Sequence, residues 1–200
     1  EANTNAWKQF NIDAIKGYVI PAYEALNTQS QALHESIVDL CKAPVNSEDK
    51  QQRSQRYFHS TMDAWQYIQK IQFGPIKTMM RNYSLQFWPY KKNHVSKHLL
   101  QLLNTKSPEA LTKDAFHKAS VSIKGLPAIE RFLFDDELNN SLSTRPFNCK
   151  VLMRISSYTA DTSAALVEEW QAFEPQFSVA GSFDSYFEDD IEAIFNQPIH

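Results

Sequence analysis

Apolar side chains recur along this chain at helical rather than strand spacing. Ile12, Ile15, Val19, Leu26, Leu33, Ile37 and Leu40 fall at steps of three, four or seven, which predicts one long helix over residues 7–41. Pro21 lies inside that stretch with Gly17 nearby, so a kink or break is expected there, because a proline removes a backbone hydrogen bond. Pro44 ends the segment. Asn46-Ser47-Glu48-Asp49 then offers a cap and first-turn acids for a second helix. That helix runs to about Phe73, with Tyr57, Phe58, Thr61, Met62, Trp65, Ile68 and Gln72 toward the core and Gly74-Pro75 as its stop. Arg53 and Arg56 read as solvated.

Residues 76–90 show no clean period. They form an aromatic-rich connection whose apolar content argues for order, with Trp88 and Tyr90 either packing a corner or lining a pocket. A short helix comes next over Lys91–Leu103, with Val95, Leu99, Leu102 and Leu103 inward. Ser107-Pro108-Glu109 starts a modest one to about Ile123, broken near Thr112. Gly125 precedes a further short helix. Asp135-Asp136-Glu137 and Asn139-Asn140-Ser141 read as a polar loop. Arg145-Pro146 opens the second long helix, whose stripe is Val151, Ile155, Tyr158, Thr162, Leu166 and Trp170 and which Pro175 ends. Ser182 can cap a last helix carrying Phe187, Ile191, Ile194 and Phe195 on one face. No convincing alternation and no repeat period appears. The fold class expected is all-α: long helices in an antiparallel bundle with additional short ones. Residues 1–175 make the bundle domain, and 176–200 begin a further helical segment.

Composition changes this picture little. Of 200 residues, 42% are hydrophobic and 22% charged, which suits a globular domain with a sizeable core. The net charge of −3 lacks the basic footprint of a nucleic-acid partner. Four glycines disfavour a turn-dense β fold or a Gly-rich phosphate loop. No apolar run reaches the roughly 20 residues of a membrane span. The polar start Glu1-Ala2-Asn3-Thr4-Asn5 reads as the trimmed end of an exported protein.

The chemistry concentrates at Lys124-Gly125-Leu126-Pro127-Ala128-Ile129-Glu130. Pro127 suits the first position of a helix, Gly125 the backbone shape just before it, and Glu130 projects from the same face as residue 127. Phe132-Leu133-Phe134 then plugs the helix into a core. The spacing alone reads Glu130 as a structural acid before a site residue. His94 and His98 stand four apart, but Val95 occupies the place of the metalloprotease Glu, and Lys91, Lys92 and Lys97 surround them; a solvated basic face is expected. His34 and His117 look like surface positions. Cys41 closes one long helical pattern and Cys149 opens another. In an exported protein they can pair across about a hundred residues, whereas in a reducing cytosol they would be two small core residues. The disulfide is the favoured reading, though the residues alone leave the compartment open.

These landmarks, taken together, resemble the imelysin-like proteins. The colinear fragments are Val19-Ile20-Pro21-Ala22-Tyr23-Glu24-Ala25-Leu26, Leu40-Cys41 with Pro44, Trp65 with Phe73-Gly74-Pro75, Arg81, and Phe87-Trp88-Pro89. Gly125 through Glu130 with Phe132-Leu133-Phe134, then Cys149 and Trp170, complete them. The resemblance implies an all-helical fold of two related four-helix bundles, of which this chain would hold the first bundle and part of the remainder. It implies a bacterial cell-envelope protein, periplasmic or lipid-anchored, often iron-regulated, in a group classed with metallopeptidases. It also implies a Gly-x-His-x-x-Glu signature, which falls on Gly125, Pro127 and Glu130. The histidine is replaced by Pro127, which offers neither lone pair nor proton. Zinc sites usually need three or more protein ligands, so Glu130 by itself is a poor anchor for zinc, iron or another divalent metal.

Three functional readings are open. The first is a non-enzymatic periplasmic protein tied to iron acquisition or to binding a small ligand, peptide or envelope partner, with Gly125, Pro127, Glu130, Arg81 and Trp88 as the candidate binding site. The second is a metallopeptidase using Glu130. The third is a scaffold in which Glu130 is held by a neighbour such as Arg81.

Overall fold

A computed structural model describes residues 4–43, 47–86 and 94–178. The described residues are helical, with no strand among them. The expected first long helix is present as α1 (Thr4–Ala14) and α2 (Ile20–Cys41), joined without a break by one π-helical turn, Ile15–Val19. The Ile20 amide bonds the Ile15 carbonyl, five residues back, so a widened turn precedes Pro21. Of the kink or break expected there, the structure shows a widened turn and no break. Ile15, Val19, Leu26, Leu33 and Ile37 are all buried, as their spacing requires.

Helix α3 (Glu48–Ile68) packs along α2 and ends sooner than expected. The Tyr18 hydroxyl donates to the Tyr67 carbonyl at 2.8 Å and satisfies a carbonyl that a longer helix would have used. Phe58, Thr61, Trp65 and Ile68 of the predicted face are buried and Tyr57 and Met62 half-buried, but Gln72, beyond the helix end, is exposed. The described part of the stretch without a period falls in a 3-10 segment, Gly74–Met80, and the short α4 (Arg81–Leu85). Met79 and Met80 there have positive φ of 55° and 54°, unusual for side chains of this size. Helix α5 spans His94–Thr105.

The modest helix breaks at Thr112, as expected, into a 3-10 turn (Glu109–Leu111) and α6 (Lys113–Lys118), with Thr112 capping the latter. A second 3-10 turn, Val121–Ile123, leads into α7 (Gly125–Phe134). Pro127 is the third residue of α7 rather than the first, still in the first turn, where its missing N–H costs no intrahelical bond. The expected polar loop is instead α8 (Asp136–Thr144). The Asp135 carboxylate accepts the Leu138 amide at 3.1 Å, and Leu138 and Ser141 turn inward.

Helix α9 (Pro146–Ser178) lies against α2, and all six residues of its predicted stripe are buried. It continues past Pro175 because Phe177 is drawn inward and stacks on Phe73, ring centroids 5.5 Å apart. The division expected at residue 175 therefore does not coincide with a helix end. The helix read from Ser182 lies outside the described residues.

The α2–α9 seam is antiparallel. Tyr23 stacks on Trp170, and the Ser163 hydroxyl donates to the Asn27 side chain. The Gln31 amide then donates to the Ala160 carbonyl, and His34 bonds Ser156. At the end of the seam Cys41 and Cys149 form a disulfide, Cα atoms 5.6 Å apart. With α3 and the short α7 packed on this pair, the core of the bundle is closed.

Candidate functional site

The signature helix is set by a steric fit. Gly125 is buried with φ +69°, and a Cβ there would lie 2.3 Å from the Leu85 carbonyl oxygen and 2.4 Å from that of Ser84. The backbone end of α4 thus rests on the start of α7, and only glycine permits it. Leu126, Ala128, Ile129, Phe132 and Leu133 are fully buried, and Pro127 is buried as well. Phe134, expected to be part of the plug, is instead 42% exposed.

Glu130 is exposed and has no ion-pair partner among the described residues. One turn on, Phe134 shares its face and receives the His59 ring from α3 at 5.3 Å and an edge contact from Phe58 at 5.3 Å. The neighbouring Arg131 pairs with Asp135 at 2.9 Å. Arg81, offered as a neighbour that could hold Glu130, is committed elsewhere: both of its terminal nitrogens donate to Glu169 of α9, Nη2 to Oε1 at 2.6 Å. The α4 backbone reaches α7, but the Arg81 fork turns to α9. Trp88 lies outside the described residues.

A buried cluster beneath the signature has no clear mark in the sequence. Lys124, the residue before Gly125, is only 3% exposed. Its ammonium donates to the His117 carbonyl at 2.8 Å and sits 4.8 Å from the centre of the Tyr158 ring. Burial pushes the Lys124 pKa down, opposed by its interaction with Tyr158. The Tyr158 hydroxyl donates to Ser84 Oγ at 3.3 Å, so one cluster ties α4, α7 and α9 together. Alongside, His98 Nδ1 bonds Ser122 Oγ at 2.5 Å and Ser122 bonds Ser120 at 2.8 Å. His98 is therefore half-buried and engaged, not part of a solvated basic face. His34, expected at the surface, is likewise half-buried in the seam. A lysine before a glycine usually reads as a solvated turn, and only a contact with residues far along the chain could reveal it as buried.

A metal at the signature helix would find one carboxylate, on Glu130, and no donor on Pro127. Among the described residues no group of three or more His, Cys, Asp or Glu side chains could hold a metal ion. The residues present there do not fit a metal centre.

The fold and the signature turn thus define an all-α bundle whose two longest helices are clamped by a disulfide and whose short α7 carries a lone exposed acid. The Imelysin family model matches residues 19–199, and the chain belongs to that family. A crystal structure of an imelysin-like protein from Psychrobacter arcticum 273-4 shares its fold, with a TM-score of 0.74 at 22% identity over 88% of this chain. This chain spans about half of that protein, 54% of its length. No curated protein matches.

Proposed function

We propose that this protein is a non-enzymatic binding protein of the bacterial cell envelope, acting in iron acquisition by recognising a small ligand, a peptide or an envelope partner. The observation that carries this reading is the pairing of Pro127 with Glu130. At the place where the imelysin-like signature has its histidine, a buried proline holds the backbone, while the acid one turn on is exposed. An exposed carboxylate with no ion-pair partner among the described residues, beside the Phe134–His59 aromatic contact, can take a cationic or hydrogen-bonding ligand. The disulfide supports an oxidising compartment.

The close fit at Gly125 favours a second reading, a scaffold in which the signature only fixes a tight helix start. A thermal-shift screen against iron salts, peptides and small anions and cations separates the two, because binding to the native state raises apparent stability. The binding reading requires a ligand whose shift disappears in Glu130→Gln while the unliganded melting temperature stays the same. A screen with no hit, or one whose hits are indifferent to Glu130→Gln, overturns the binding role of this acid. Metal analysis with a chelator control tests the remaining metallopeptidase alternative.

A further inference from the structure

The two cysteines of the Cys41–Cys149 bridge stand in different surroundings. Cys149 is 6% exposed and lies in the first turn of α9. Cys41 is half-buried at the C-terminus of α2 and forms part of the wall of a small niche of about 30 Å³. The niche is also lined by Ser47, Gln51, Asn139 and Ser143, and it does not include Cys149. It has room for about one water molecule, hence for a single attacking sulfur rather than for a whole ligand.

We propose that Cys41 is a thiol-exchange site: an incoming thiolate opens this bridge at Cys41 Sγ and leaves its mixed disulfide there, never on Cys149. Exchange requires the nucleophile to approach one sulfur while the other departs. In the reaction the sulfur of a thiolate RS⁻ bonds to Cys41 Sγ, the Cys41–Cys149 bond breaks, and its electron pair leaves on Cys149. The thiolate formed there lies in the first turn of α9, whose positive end favours the charge while the burial of Cys149 opposes it. It then takes a proton from water, and the resulting thiol has the Leu142 carbonyl 3.6 Å away as an acceptor. The attacking thiol is the reductant, and one further equivalent releases Cys41 as a free thiol and RSSR as the product. The ligand chemistry is any accessible thiolate, whether a low-molecular-weight thiol or the cysteine of a dithiol protein.

The test uses reduced glutathione as the probe on the intact chain. Limiting glutathione, acid quenching, alkylation and peptide mapping should place the glutathione adduct on the Cys41 peptide and the alkylated thiol on Cys149. An adduct on the Cys149 peptide, or equal amounts on both, overturns the assignment. Single variants give a second reading independent of trapping. In native protein, Cys149→Ser leaves Cys41 to react with a disulfide reagent at least about tenfold faster than Cys149 reacts in Cys41→Ser. Equal rates, with both variants folded by circular dichroism, would count against the site. A low-molecular-weight thiol and a dithiol oxidoreductase run in parallel show which source opens the bridge faster.

Discussion

Arg81 grips Glu169 with both ends of its guanidinium, joining the short α4 to the middle of α9 across 88 residues of sequence. The Arg81 side chain is 14% exposed and that of Glu169 39%, so the pair is partly screened by water. Arg81→Met should cost about 1–2 kcal/mol, since a charge-assisted fork is lost and Glu169 is left half-solvated. Glu169→Gln should cost less, and the double variant should cost less than the two singles together. Urea unfolding of the four proteins measures the coupling. A strictly additive cycle would show that the fork contributes nothing.

Gly125 makes the steepest stability prediction. Gly125→Ala places a methyl group inside the Ser84 and Leu85 carbonyls and forces a side chain into the left-handed region. The strained backbone costs about 1–3 kcal/mol and the overlap about 1–3 kcal/mol more. Gly17→Ala, where a new Cβ meets nothing within 4 Å, should change stability by less than about 1 kcal/mol. Comparable midpoints for the two variants would contradict the packing at α7.

The disulfide closes a sequence separation of 108 residues, worth about 4–5 kcal/mol in the chain-entropy model. Reductant should therefore lower the melting temperature of the native chain and leave that of a Cys41→Ser, Cys149→Ser double variant unchanged. A chain indifferent to reductant would count against both the bridge and the oxidising compartment.

His34 sets a pH dependence. Burial holds its folded pKa below the ordinary value of 6.5; Asp161 and Glu35 oppose the shift, and Arg154 adds to it. As pH falls, the unfolded chain takes up this proton first, so stability is lost from about pH 6.5 downward until the folded pKa has been passed. Above that window the contribution is fully present. His34→Gln should flatten the decline without changing the neutral-pH stability by more than about 1 kcal/mol. Chemical denaturation at several pH values between neutral and mildly acid reads both.

Helical periodicity carried most of the architecture. Every predicted stripe residue of α9 is buried, as are Ile15, Leu26, Leu33 and Ile37, because a helix repeats its buried face at a fixed spacing that needs no partner to be read. Element ends were less legible, since they depend on who takes the last carbonyls and amides. Tyr18 bonds the last turn of α3, Asp135 caps α8, and Phe177 packs on the distant Phe73 as α9 runs through Pro175, and only the Asp135 contact lies within its own segment.

The site divides in the same way. The sequence alone determined that Gly125 and Glu130 share one helix start, that Pro127 removes a donor from it, and that Cys41 and Cys149 mark the ends of two long helices. Only the tertiary structure decided that Arg81 belongs to Glu169, that Glu130 faces water, and that Lys124 is buried on Tyr158. Charge and hydrogen-bond partners depend on what folding brings together from distant parts of the chain, and no spacing along a single helix encodes that.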